Sequence, residues 1–182
     1  MHELPPIFQG DAKAEAREAG LAEALFTPCE NDPELRCYLL LDAAASSDIP
    51  VCLAGFDAPA RCLFDGQTRD ELEDVAPWLV QISRHQAVTS WYAEEGHGRD
   101  WGIVIHSRLE LARLKTRLKR FLRVQDESGQ ELFFKFYRPR NLNAILPEFE
   151  PDQRASFFSG IEAILAEDRG NPDLLHRHLP DG

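Results

Sequence analysis

The stretch LRCYLLLDAA, residues 35–44, is a continuous apolar run with the length of one β-strand. Runs of this kind are typical of a strand that is buried on both faces. Further short apolar runs follow at 60–66 (ARCLFDG), 78–82 (WLVQI) and 101–107 (WGIVIHS). The sequence therefore predicts several strands of one sheet that is covered on both sides.

Helix patterns separate these strands. Residues 11–26, DAKAEAREAGLAEALF, are rich in Ala, Glu and Lys or Arg, with Asp11 as the N-cap. The two prolines of TPCENDPE, residues 27–34, are expected to end that helix. A second helix is predicted for 85–98, where Gly96 and Gly98 suit a left-handed C-cap.

The clearest helix pattern begins after residue 107. Ser107 and Glu110 have the spacing of a capping box, and an apolar stripe follows on one face. The stripe consists of Leu111, Leu114, Leu118, Phe121 and Leu122. Beyond it, FLRVQDESGQELFFKFYRP predicts a β-hairpin around Ser128 and Gly129.

Two more helices are predicted at 141–149 and at 151–168. Strands that alternate with helices, together with one hairpin in the C-terminal half, indicate an α/β fold with a mixed sheet in a single compact lobe. The expected division is an N-terminal helical segment at 1–34, an α/β domain at 35–168 and a flexible tail at 169–182.

The bulk composition favours a cytoplasmic protein. The N-terminus lacks the basic start and apolar core of a signal peptide, and no apolar run is long enough to span a bilayer. The 182 residues carry a net charge of −11, which disfavours binding to nucleic acid or to an anionic membrane.

No metal or cofactor site is predicted. The cysteines at 29, 37, 52 and 62 form no C-x-x-C pair, and no histidine stands at zinc-finger spacing from them. We expect reduced thiols that pack as small apolar groups. His176 and His178 lie close together, but in the predicted tail.

The segment GHGRDWG, residues 96–102, has three interpretations: a phosphate-binding loop, a catalytic cluster and a tight connection. Its third glycine comes one residue too late for a dinucleotide fingerprint, and it follows a helix, so a phosphate would meet the unfavourable end of the dipole. His97, Arg99 and Asp100 could form a catalytic cluster, but no partner nucleophile is marked. The favoured interpretation is a helix C-cap and turn that bring Trp101 into the core.

An enzyme remains an alternative. Asp42 and Asp65 stand at predicted strand ends, where an α/β hydrolase-like enzyme could pair them with His97 or His106. Aspartate is equally a common turn and cap residue. We favour that structural role and expect no catalytic residues.

Charge is unevenly distributed along the chain. Residues 108–140 hold ten of the twenty Lys and Arg but four of the thirty-one acids, which leaves ten bases against twenty-seven acids elsewhere. Such a block is either a solvated face or a docking surface for an acidic partner. The candidate partner-binding residues are Arg113, Arg117, Arg120, Arg138 and Arg140.

The order of short motifs resembles one known family. CYLLLDAA, CLFDG, APWLV, GHGRDWGIVIHS and LFFKFYRPR follow one another at sensible distances, and the resemblance covers about residues 35–165. Together they are similar to the type VI secretion effector chaperones, also called adaptor proteins, first catalogued as a bacterial domain of unknown function.

The resemblance implies binding without catalysis or a cofactor. Members bind a toxic effector in the cytoplasm of a Gram-negative bacterium and help to load it onto the VgrG spike protein. A co-chaperone is a further possible partner. Two residues depart from the family pattern: Arg138 stands where an acid is usual, which is expected to extend the basic surface, and His97 stands where an aromatic is often found. Many members also continue into a C-terminal lobe, whose role in holding the effector is left open.

Overall fold

The computed structural model describes residues 12–125 and 128–181, with side chains from residue 17 onward. The predicted N-cap at Asp11 lies outside these residues. The helices are α1 Ala12–Asn31, α2 Asp48–Gly55, α3 Gly66–Leu72, α4 Ala87–Trp91, α5 Leu111–Lys119, α6 Pro139–Ile145 and α7 Pro151–Phe158. The strands are β1 Arg36–Asp42, β2 Ala60–Cys62, β3 Pro77–Ile82, β4 Gly102–Ser107, β5 Arg123–Gln125, β6 Glu131–Phe133, β7 Ile161–Glu167 and β8 Leu175–His178.

One six-stranded sheet forms the centre of the molecule, in the order β2-β3-β1-β4-β7-β8, and β5 and β6 form a separate hairpin. The α/β class, the single lobe and the hairpin are therefore confirmed. The expectation of a mixed sheet is wrong in one respect, because every described strand pair is antiparallel. The helical connections here return the chain so that neighbouring strands run in opposite directions.

Strand β1 is buried on both faces, as its continuous apolar run predicts. Tyr38 and Leu40 belong to one core, while Leu39 and Leu41 belong to the other, and all four are fully buried. This division follows from the alternation of side chains along a strand. The first core includes side chains of α5, α6 and α7, and the second includes side chains of α1, α2 and α4.

The sequence prediction differs most from the structure at residues 161–167. Its pattern predicts the continuation of a long helix from 151, but α7 ends at Phe158 and β7 then crosses the sheet. Gly160, at φ +81°, makes the turn between them. Ala, Leu and Glu favour helix locally, yet pairing with β4 and burial of five consecutive residues outweigh that preference.

Both ends of the described chain are more ordered than predicted. Helix α1 continues through Pro28 to Asn31, because Leu25 and Phe26 are buried and hold this part of the helix in the second core. The segment expected to be a flexible tail contains β8, which pairs with β7 from Ile164↔His178 to Glu167↔Leu175. The described parts of the two terminal segments, residues 12–34 and 169–181, thus contribute elements to the same lobe.

The predicted capping box is wrong. Ser107 is the last residue of β4, and its hydroxyl donates to the Gly160 carbonyl at 2.6 Å and accepts from the Leu109 amide at 3.0 Å. Helix α5 begins at Leu111, after Glu110. The apolar stripe is confirmed, since Leu114 and Leu118 are fully buried beneath the helix.

Candidate functional site

The β5–β6 hairpin is exposed along both of its strands. All six of its strand residues are exposed, including Val124 at 40%, Leu132 at 43% and Phe133 at 46%. An isolated two-stranded hairpin is marginal in water. This one is anchored at its base, where the Phe134 amide donates to the Leu122 carbonyl at 2.8 Å.

An open groove lies on one side of the hairpin, and we call it the apolar groove. Its volume is about 570 Å³. Five of its lining side chains are apolar, and none of the described residues that line it is a cation. The lining residues are Phe121, Val124, Phe134, Ile145, Phe149, Asp152, Gln153 and Ser156.

Another groove, the basic groove, lies beside β6 and the end of α5. Its volume is about 480 Å³, and three cations contribute to its lining. The lining residues are Phe64, Asp65, Thr68, Leu72, Lys119, Arg120, Leu122, Arg123 and Phe133. The rings of Phe64 and Phe133 meet edge to face at 5.8 Å, so the hairpin packs against this wall.

Asp65 neutralises part of the basic helix. Its carboxylate accepts from Lys115 and, at 2.6 Å, from Lys119. These two hydrogen bonds lower the pKa of Asp65 to about 2. The two lysines are therefore committed to an internal partner, which removes the like-charge repulsion expected between them.

The structure separates the five predicted partner-binding arginines. Arg113 and Arg120 are exposed, and within the described residues neither side chain has a hydrogen bond or ion pair. They are seven residues apart, so they lie on one face of the helix about 10 Å from each other. Arg117 instead donates to the carbonyl oxygens of Ser156 at 2.8 Å and Ser159 at 3.0 Å, and so ties α5 to the end of α7.

The other two predicted anchors also bind within the chain. Arg138 donates to the fully buried carboxylate of Asp42 at 2.5 Å, and Lys135 lies 3.7 Å from the same oxygen. Arg138 therefore does not extend a basic surface as expected, because its charge is used to compensate a buried acid. Arg140 pairs with Asp100 at 3.0 Å.

The segment 96–102 is held against the end of β7 by hydrogen bonds. The Glu167 carboxylate, at the end of β7, accepts from the backbone amides of Gly98 and Asp100, each at 2.5 Å. Burial raises the pKa of Glu167, although these two hydrogen bonds act against the rise. Trp101 is buried in the second core, which confirms the interpretation as a helix end and turn.

The proposed pairing of strand-end aspartates with histidines is not formed. Asp42 binds Arg138, and Asp65 binds the two lysines of α5. His106 contacts the Leu25 carbonyl at 2.7 Å, and His97 Nδ1 lies 3.4 Å from Glu167. Burial lowers the pKa of both histidines.

Metal-ligating side chains do not gather in the described chain, where no group of three or more could hold an ion. The four cysteines are free. His176 and His178 lie on β8, where they bind Asp168 at 2.9 Å and Asn143 at 2.7 Å. None of the helices among residues 12–125 and 128–181 has the length and apolar content needed to cross a membrane.

Sequence reasoning missed the apolar groove. The charge count drew attention to α5, while the groove walls come from successive short segments within residues 121–156 that meet only after folding. One signal was present, because FLRVQ and ELFFKF place apolar residues on both faces of the predicted hairpin. A hairpin that buries only one of its faces needs apolar residues on that face and not on the other.

The fold and the two grooves define a class: a compact α/β protein with an antiparallel sheet and a surface hairpin between an apolar and a basic groove. The chain belongs to the family described as a domain of unknown function, DUF4123, whose model matches residues 37–156. Searches of curated proteins and of solved structures gave no match.

Proposed function

We propose that this protein is a cytoplasmic adaptor and chaperone of a type VI secretion system. It binds a toxic effector and helps to load it onto the VgrG spike protein, without catalysing a reaction. Membership of the DUF4123 family supports the association with secretion effectors. The proposal also draws on the motif resemblance seen in the sequence.

The observation that carries the proposal is the contrast among the cations of 108–140. Eight of the ten are bound within the chain, and Arg113 and Arg120 are the two without such partners in the described residues. An arginine with no internal partner has its full set of donors available to a carboxylate. We assign the effector contact to Arg113 and Arg120, and a fold-stabilising role to Arg117, Arg138 and Arg140.

Charge alone would give a weak complex. An exposed ion pair contributes roughly 0.2–1 kcal/mol, so two arginines add little affinity by themselves. The neighbouring Phe133, exposed by 46%, offers apolar area that gains about 25 cal/mol per Å² when a partner covers it. We therefore propose that the arginines steer an acidic effector segment to the basic groove, and that apolar burial holds it there.

Co-expression tests this proposal. The tagged protein would be produced with the effector and VgrG proteins encoded beside it, and the complex isolated by affinity purification. A stoichiometric complex, with an effector that is insoluble when produced alone, is the expected result. An effector that is soluble alone and does not co-purify would contradict the proposal.

A further inference from the structure

We propose that the apolar groove is a second docking site, which binds an apolar peptide segment that carries lysine or arginine. This inference rests on the proposed adaptor function, because it names the chemistry of one segment that an effector or spike partner must offer. It differs from the contact at Arg113 and Arg120, which suits an acidic segment.

The lining of the groove sets the apolar requirement. Phe121 lies in the turn after α5, Phe134 at the base of the hairpin and Phe149 before α7, and each is half-buried. Their inner edges are fixed by the core, since Phe121 and Phe149 each meet the buried Phe157 ring edge to face, at 5.0 and 5.6 Å. Their outer surfaces therefore form a preorganised apolar floor.

Acidic residues set the charge requirement. Asp152 is the ionisable residue in the lining, it is exposed, and its carboxylate has no ion pair within the described chain. Glu148 and Glu150, both exposed, flank Phe149 in the chain. Because the described lining contains no cation, an occupant gains from a positive charge and loses from a negative one.

The dimensions favour a peptide segment over a flat protein surface. About 570 Å³ is within the range of pockets that enclose a few large side chains. An amphipathic helix that places apolar residues at i, i+3, i+4 and i+7 presents such a group of side chains to a groove. The hairpin then separates two segments of opposite charge, one in each groove.

Two labelled peptides test the inference without knowledge of the natural partner. One is an amphipathic peptide with leucine at i, i+3, i+4 and i+7 and lysine at the remaining positions, and its twin carries glutamate in place of lysine. Fluorescence anisotropy against the full chain measures both affinities. We expect the lysine peptide to bind the apolar groove.

Matched variants locate the binding. Val124→Gln should weaken the lysine peptide about tenfold, because a partly exposed valine at the contact loses its apolar burial. Val51→Gln is its control, since Val51 is 72% exposed on α2 and lies outside the groove. Asp152→Lys should weaken the lysine peptide about fivefold, while Asp48→Lys, also in the first turn of a helix, should leave it unchanged.

The outcomes separate this inference from the proposed function. Lysine-peptide affinity that is equal in the wild type, Val124→Gln and Asp152→Lys would overturn the inference, even if the effector co-purifies. Absence of effector co-purification would overturn the proposed function, while the peptide titration still decides the groove. A dimer in analytical ultracentrifugation that dissociates in Val124→Gln would assign the groove to a second copy of the chain and overturn the peptide assignment.

Discussion

In the segment 96–102 and in the β5–β6 hairpin, the sequence and the structure lead to opposite conclusions about function. Segment 96–102 has the residue types of an active site, yet its Gly98 and Asp100 amides are taken up by the buried carboxylate of Glu167. The sequence predicts no site residue in the hairpin strands, yet the hairpin leaves apolar side chains exposed between two grooves. Groups already satisfied within the chain have little to offer a partner, so the hairpin is the better candidate for binding.

We expect the greatest loss of stability from a change at Gly102, where segment 96–102 packs against the central strand. A Cβ atom at Gly102 would lie 2.2 Å from the Leu40 carbonyl oxygen of the central strand. Gly102→Ala should therefore destabilise the fold by about 4 kcal/mol or prevent folding, as measured by urea denaturation. Gly20→Ala is the matched control, since nothing lies within 4 Å of the added Cβ and a helix gains about 0.5–1 kcal/mol from this change. Equal stability of the two variants would contradict this account of the packing.

The next effect compares two arginines that the sequence placed in one surface. Arg138→Met leaves the buried carboxylate of Asp42 with Lys135 as its remaining cation, and should cost about 3 kcal/mol. Arg140→Met breaks an exposed pair with Asp100 and should cost less than about 1 kcal/mol. Thermal denaturation of both variants measures the difference. A similarly small loss of stability in both variants would mean that Arg138 is not needed to compensate the buried charge of Asp42.

A third comparison uses two glutamates on β7. Glu167→Ala removes the buried acceptor of two part-buried hydrogen bonds and should cost about 2 kcal/mol. Glu162→Ala removes an exposed partner of Arg108 and should change stability by less than about 1 kcal/mol. Hydrogen exchange of the Gly98 and Asp100 amides should accelerate in Glu167→Ala alone. Protection that persists in this variant would show that the structure of segment 96–102 does not depend on the Glu167 carboxylate.

The smallest effect concerns pH. Burial, and then the nearby charges of His176 and Arg154, lower the pKa of His178 from 6.5 to about 4. The unfolded chain therefore binds a proton more readily, so this contribution to stability is present above about pH 6.5 and is lost as the pH falls towards 4. His178→Gln, which can still donate to Asn143, should show a smaller loss of stability between pH 7 and pH 5 in urea titrations. An unchanged pH dependence would rule out His178 as its source.

The sequence predicted those parts of the fold in which local pattern and tertiary role agree. The run at 35–44 is apolar on both faces and is the buried β1, and the stripe beneath α5 faces the first core. Strand β7 could not be predicted, because its helix-favouring residues become a strand only through pairing with β4 and β8. The same limit applies to β8.

The sequence predicted the candidate site only in part, because the rest depends on contacts between residues that are far apart in the chain. A charge count locates cations along the chain, but it cannot show which of them meet an acid in the folded structure. Arg113 and Arg120 remained available, while Arg138 met Asp42, which is 96 residues away. The apolar groove was less accessible still, because its walls come together only in the folded chain.

The most direct test is the amount of effector that co-purifies with three tagged forms of the protein, each co-expressed with the effector. These are the wild type, the double variant Arg113→Glu/Arg120→Glu, and Arg99→Glu, which reverses an exposed charge on the 96–102 segment. We predict wild-type recovery of the effector with Arg99→Glu and a loss of at least about tenfold with the double variant, each variant being folded by circular dichroism. Unchanged recovery with the double variant, or a loss confined to Arg99→Glu, would contradict the assignment of the effector contact to Arg113 and Arg120.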